Sequence, residues 1–435
     1  MIYDFIAEKT IANLNFNISL QKDKKVYCFI GENGSGKTQL LETMAKSFLY
    51  CHSLLKSGSE YHQKLYLREG VINVLKDYKL YLPLGIKINN SEIKNKDKEN
   101  SNVLEFENAY RSLLLYNNNR IEFNNPIVFI GAKSRGYAKN LNKNNVQILG
   151  DKAARFISSF TKTYNYVNSN EIDEISVVDW FVSRLIINPN FVYGTNKVDD
   201  EVIIVCKLLQ ELEPEKLKNL IIEESSEKYK LNIGFHEGKL LFSGIPFEKL
   251  STGYIAIIKI FQDIIDGFSS WRLDENEDIA NMEGVVFIDE IEAHLHPKWV
   301  QSIIPFLKRH FSKTTFYIAT HSPLIVATTD EGEAYELIRE GQNITAKELG
   351  NPKAWYMADI YSQAFHVDNN DDFENEQVNI IKLTAEYSNL VKEYTKNKNE
   401  NAKIRIEEIY QNINNIIPES DPRKKTIDNL KKLVV

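Results

Sequence analysis

The sequence predicts an α/β fold organised around a mostly parallel central sheet. Three observations predict it. Residues 26–30, 285–288 and 316–320 are continuous apolar, β-favouring runs, the pattern of strands covered on both faces. The first run enters a glycine-rich loop, GENGSGKT at 31–38, and an apolar helical pattern (Leu40, Leu41, Met44, Phe48) follows it. The other two runs end in Asp289-Glu290 and in His321.

Strand, glycine loop and helix together give the G-x(4)-G-K-[ST] match its mechanism. Gly31, Gly34 and Gly36 let backbone N–H groups curl around phosphates, and the new helix N-terminus adds partial positive charge. Asn33 and Ser35 complete the candidate phosphate-binding loop. Lys37 is placed to reach β and γ phosphates, and the Thr38 hydroxyl to ligate Mg²⁺. The plain alternative is a glycine-rich turn with an incidental lysine, against which the full eight-residue match and its flanks argue.

At the end of the second run, Asp289 suits a Mg²⁺ partner, and Glu290 suits polarisation of an attacking water. The segment 291–297, IEAHLHP, contains His294 and His296, which with His321 invite a zinc reading. Scattered cysteines (Cys28, Cys51, Cys206) and the lack of recurrent ligand spacing disfavour it, and a segment crossing a dimer interface is expected instead. Upstream, LSTGY at 250–254 opens an apolar helical stretch. Ser251 and Gly253 put a hydroxyl and free N–H groups on its positive end, suited to a γ-phosphate presented from outside. The competing reading is an ordinary N-cap by Ser251. His321, at a strand end, can hydrogen-bond a γ-phosphate or water with a pKa near working pH.

The order phosphate loop, LSTGY, FIDE, ATHSP resembles the ABC/SMC-like ATPases of the OLD and RecF type, and within that group the stand-alone ATPases of bacterial anti-phage systems, Septu and retron-associated ATPases among them. The resemblance covers roughly 1–345 by motif. It implies a P-loop ABC-type ATPase head with a helical lobe and a C-terminal helical extension. It implies ATP and Mg²⁺ as ligands, with Lys37, Thr38 and Asp289 binding them, Glu290 and His321 catalytic, and Ser251 and Gly253 as the signature that completes a partner's site. Two departures stand out. The signature lacks the Gly-Gly-Gln ending of transporters, and no glutamine follows the strand at 126–131, where Ala132-Lys133-Ser134-Arg135 stands; Arg135 or Ser134 is the candidate substitute.

Composition agrees with a soluble globular protein: 435 residues, 43% hydrophobic and 26% charged. No apolar run approaches the ~18 residues needed to span a bilayer, and MIYDFIAEKT lacks a signal-peptide pattern. A cytoplasmic, reducing location is therefore expected, with no membrane partner. A net charge of −7 argues against broad nucleic-acid binding, although Lys133, Arg135, Lys139 and Lys143 form a basic run open to DNA contact.

Along the chain, 1–150 is expected to hold the phosphate-loop lobe with an insertion at about 51–125, itself containing an extended piece at 79–89 and a solvated loop at 90–102. A helical lobe and a hairpin (230–235 with 239–242) are expected over 151–249. The signature, acidic strand and switch histidine occupy 250–350, closed by a hairpin at 334–339 and 343–348. The remainder, 351–435, reads as a helical partner-docking region: a helix pair at 377–396 and 402–416, then a helix from Asp421-Pro422. Its stripe of Val378, Ile381, Tyr387, Leu390, Val391 and Tyr394 is read as a docking surface rather than internal packing.

The expected function is a homodimeric ATPase with two head-to-tail composite ATP sites, open to larger assembly. It regulates an effector in anti-phage defence, such as an HNH nuclease or retron components. One rival is a DNA-repair ATPase of the RecF or Rad50 kind, which requires salt-dependent duplex binding. The other is an ATP sensor with little hydrolysis.

Overall fold

A computed structural model of the chain describes residues 2–8, 10, 12–50, 52, 79–81, 85–89, 91–94, 103–105, 123–132, 135, 152–167, 176–185, 200–225, 228–236, 239–272, 278–366, 377–398, 400–416, 422–432 and 434. Its strands, in chain order, are β1 (Asp4–Glu8), β2 (Asn15–Ser19), β3 (Val26–Ile30), β4 (Lys79–Tyr81), β5 (Gly85–Ile88), β6 (Ser91–Lys94), β7 (Val103–Glu105), β8 (Ile127–Ile130), β9 (Ile221–Ser225), β10 (Lys228–Leu231), β11 (Ile233–His236), β12 (Lys239–Phe242), β13 (Ile245–Pro246), β14 (Gly284–Ile288), β15 (Thr314–Ala319), β16 (Ala334–Glu340) and β17 (Asn343–Glu348).

Among the described residues the main sheet has ten strands in the order β6-β5-β1-β2-β17-β16-β3-β15-β14-β8. From β16 to β8 every neighbouring pair is parallel. From β6 to β2 the pairs are antiparallel, and the β16–β17 hairpin joins the two blocks. The parallel block is the predicted one, and most residues of β3, β14 and β15 alternate between two cores. Val26, Cys28, Val286, Ile288, Phe316 and Ile318 face the helices Val177–Leu185, Asp200–Leu212, Thr252–Trp271 and Pro297–His310. Tyr27, Phe29, Phe287, Tyr317 and Ala319 face Lys37–Tyr50 and Lys152–Val167. A period of two with apolar residues on both faces is why these strands read as unbroken apolar runs. On the second face the rings of Tyr27 and Tyr317, Tyr317 and Phe287, and Phe287 and Phe129 stack at 5.2, 5.1 and 6.1 Å, tying β3, β15, β14 and β8 together.

Several elements differ from the sequence expectations. Residues 91–94, expected within a solvated loop, form β6, the edge strand paired with β5. The first arm of the predicted hairpin at 230–235 breaks at Asn232: β10 pairs with β9, and only β11 pairs with β12. Within the lobe expected to be helical apart from its hairpin, residues 221–225 form a further strand, β9. The chain divides into two compact units, Met1–Phe365 and His366–Val435. The helix Met357–Phe365 belongs to the first unit, where Ile360 and Ala364 pack with Ile30, Val326, Ala334 and Leu349.

The second unit contains helices Gln377–Asn397, Glu400–Ile416 and Pro422–Lys431, close to the predicted bounds. Tyr387 and Val391 are buried against Ile406, Ile409, Ile413 and Ile427, with Leu390 and Tyr394 packed alongside. The stripe read as a docking surface is thus the unit's own core, because a third helix closes over the pair. The Val378 and Ile381 side chains lie outside the described residues.

Candidate functional site

The carboxyl ends of β3, β14 and β15 lie side by side, because Phe29 pairs with Ala319 and Ile288 with Ile318. Sheet register alone therefore gathers Gly31, Asp289-Glu290 and Thr320-His321 at one edge, the edge where open α/β sheets hold their ligands. Gly31, Gly34 and Gly36 take φ of 148°, 82° and 96°. A side chain at Gly36 would also sit 2.5 Å from Ile344 Cδ1, so the loop requires glycine there on both counts. The helix begins with Leu40 N donating to Gly36 O at 2.8 Å. Asn33 is exposed and Ser35 buried.

Lys37 is 6% exposed, and its ammonium donates to the carbonyls of Gly31 (2.8 Å) and Glu32 (3.0 Å). Burial lowers its pKa to about 8, against the opposing pull of Asp289, Glu290 and Glu292. The loop has a further anchor that the sequence reading missed: Arg339 Nη1, on β16, donates to Gly34 O at 2.7 Å.

Thr38 Oγ1 lies 3.1 and 3.0 Å from the two carboxylate oxygens of Asp289. Burial raises the Asp289 pKa; the Thr38 bond opposes that, and neighbouring Glu290 reinforces it. Glu290 is exposed, with φ of 46°, a left-handed conformation that is costly for a residue with a Cβ. Arg135 holds this turn. Its Nη2 donates to Asp289 O and, at 2.5 Å, to Glu290 O. Burial lowers the Arg135 pKa, opposed by Asp289, Glu292 and Glu290.

The expectation of DNA contact at Arg135 is overturned. Arg135 is 1% exposed and turned onto backbone carbonyls of the site, so it presents no charge to a nucleic acid. Lys133, Lys139, Lys143 and Ser134 lie outside the described residues.

Ser251 is the N-cap of the helix Thr252–Trp271, its Oγ accepting from Tyr254 N at 3.4 Å. The capping role is therefore real, and the exposed hydroxyl keeps its proton for an external acceptor. Gly253 packs against the segment after the acidic strand: a Cβ there would meet His294 O at 3.0 Å and the Trp299 ring at 3.3 Å. Tyr254 meets Trp299 edge-on, and Trp299 Nε1 donates to Glu213 Oε1 at 2.7 Å. His296, entertained as a metal ligand, caps the helix Pro297–His310, its Nδ1 accepting from Lys298 N. His321 is exposed at the end of β15. Its backbone N–H donates to Glu292 Oε1 at 2.6 Å, while Thr320 Oγ1 donates to Glu292 Oε2 at 2.7 Å. Glu292 was not singled out in the sequence.

One chain thus brings Lys37, Thr38, Asp289, Glu290 and His321 to a common edge, while Gly253 packs by the 294–299 segment and Ser251, two residues before it, is exposed. A cradle of loop N–H groups beside a buried ammonium fits a polyphosphate. A hydroxyl and a carboxylate 3.0 Å apart fit a hard divalent cation such as Mg²⁺, which takes oxygen donors.

Comparisons with known proteins find several likenesses. A family model described as "AAA domain, putative AbiEii toxin, Type IV TA system" matches residues 132–327. Septu protein PtuA of Bacillus mycoides (strain KBAB4) is 26% identical over 377 residues, covering 84% of this chain but 44% of that protein. The Retron Vc95 probable ATPase of Vibrio cholerae serotype O1 biovar El Tor is 25% identical over 384 residues, covering 78% and 72%. The Retron Ec83 probable ATPase of Escherichia coli is 34% identical over 110 residues, covering 25% and 19%. The chain therefore spans less than half the length of the Septu protein it matches. Among solved structures, the SMC head bound to the C-terminal winged helix of ScpA aligns at TM-score 0.38 and 11% identity, covering 81% of this chain and 98% of that one. The ATP-binding cassette MJ1267 aligns at TM-score 0.37 and 14% identity, covering 84% and 98%. The chain thus resembles Septu protein PtuA and the retron probable ATPases.

Proposed function

We propose, from the site geometry and the likeness to Septu and retron ATPases, that this chain binds and hydrolyses ATP with Mg²⁺ as a head-to-tail homodimer and regulates an effector in anti-phage defence. The observation that carries the reading is the direct Thr38–Asp289 contact beside Lys37, two motif elements 251 residues apart joined at one sheet edge. The loop N–H groups and Lys37 bind and orient the β and γ phosphates. Thr38 and Asp289 hold the cation, which supplies neutralisation of charge on the phosphate oxygens when bound. Glu290, exposed at the end of β14, orients the attacking water and takes its proton. His321, on the adjacent strand end, donates to the γ-phosphate oxygen or the water. Ser251 and the N–H groups behind it address the γ-phosphate of the partner's nucleotide, because their helix N-terminus faces outward from its own chain.

The effector and the dimer rest on the same resemblance: the partner carries the cutting or blocking chemistry, and nucleotide state sets the geometry it senses. Glu290→Gln tests the reading. It is expected to keep ATP affinity within a few-fold, prolong the dimer and lower turnover by roughly 10²–10³. Unchanged turnover removes Glu290 from the mechanism, and a wild-type chain that binds ATP without turnover makes it a sensor.

A further inference from the structure

We infer that Glu292 is a positioning residue for hydrolysis, anchoring the turn that carries His321 to the turn that carries Glu290; this rests on the ATPase reading above. Both carboxylate oxygens are engaged, Oε1 by the His321 backbone N–H at 2.6 Å and Oε2 by the Thr320 hydroxyl at 2.7 Å. Thr320 Oγ1 in turn accepts from Ser322 N at 3.0 Å, so three consecutive residues refer to one carboxylate. The His321 side chain is exposed, so packing does not fix its direction and the backbone anchor does. The helix that follows, Pro323–Val326, is a single turn whose N-cap Ser322 makes no side-chain capping bond, so the turn is held by Glu292 together with the backbone bond from Thr320 N to Phe29 O at 3.1 Å.

At its other end Glu292 is built into the segment that starts at left-handed Glu290 and closes at left-handed His294, φ 46° and 68°. Ala293 N donates to Glu290 O at 2.8 Å and Leu295 N to Glu292 O at 2.9 Å, which makes this a stiff pair of turns. A shift at Glu290 therefore reaches His321 through the Glu292 side chain as well as through the backbone bond from Ile291 N to Ala319 O at 3.4 Å. Charge-assisted bonds from an ionised acceptor are short and directional, as both of these are.

The test uses the full chain with Glu292→Gln and Glu292→Ala, and two readouts. Glutamine keeps one carbonyl acceptor, so it is expected to lower kcat about 10-fold and alanine about 100-fold, with KM for ATP within about twofold. Amide exchange in the peptide containing His321 is expected to accelerate in the order wild type, glutamine, alanine. Unchanged kcat in both variants, a KM that rises in step with the loss, or unchanged exchange at His321 overturns the inference. Exchange is read without turnover: a wild-type chain that fails to hydrolyse ATP refutes the ATPase reading alone, and the His321 amide still decides the anchor.

Discussion

Arg135 is the residue whose role the structure changes most. From sequence it belonged to a basic run; in space it is a buried cation donating to the carbonyls of Asp289 and Glu290. It occupies the region where transporters carry a glutamine, yet it acts on the backbone of the acidic turn. Removing it frees a left-handed residue whose carboxylate must be placed to within a fraction of an ångström. Arg135→Ala is expected to cut turnover by about 100-fold with a much smaller effect on nucleotide affinity, Arg135→Lys falling between; equal kcat for the alanine variant and wild type would contradict this. As a site residue Arg135 was named only as a candidate substitute for the missing glutamine, and Glu292 not at all, because their partners include backbone groups, which leave no pattern in sequence. Lys37, Thr38, Asp289 and Glu290 were legible because their chemistry depends on side-chain identity at fixed spacing.

Elements repeat that division. β3, β14 and β15 were readable because both faces are covered and every position is apolar. β6, sequence SEIK, was not: it is an edge strand, where charged residues are normal and protect against unwanted pairing. The helical lobe was read from its apolar residues, but its ionic centre was missed. Glu201 is fully buried, bonded to Arg184 at 2.5 Å, to Arg155 and to Ser269. Burial pushes its pKa up, but Arg184 and Arg155 outweigh that and hold it well below the usual carboxylate range. With the folded pKa depressed, its contribution is fully present above about pH 4.3, the unfolded value, and disappears as pH falls through the folded one. Glu201→Gln is expected to cost about 3–5 kcal/mol near neutrality by removing the buried charge that faces both Arg184 and Arg155, leaving Arg184 its pair with Asp266, and to flatten the acid limb of stability below pH 4. Urea titrations across that range check it, and parallel wild-type and variant curves would be the contrary result.

At the scale of the molecule, the two compact units have separate cores, one around the sheet and one of three helices. No helix among the described residues is long and apolar enough to cross a membrane. Because Tyr387, Val391 and Ile409 pack within the second unit, deletion of 366–435 is expected to leave a soluble chain that binds ATP with wild-type affinity. An insoluble product would mean that the first unit depends on the second. The central claim is that each ATP lies between the phosphate loop of one copy and Ser251 of another. Mixing a Lys37→Ala chain with a Ser251→Arg chain, each inactive alone, measures it most directly. The account predicts that mixed dimers, which contain one intact composite site, recover up to about a quarter of wild-type turnover, set by half the dimers being mixed and half their sites intact; no recovery at any mixing ratio, with dimers demonstrably formed, would contradict it.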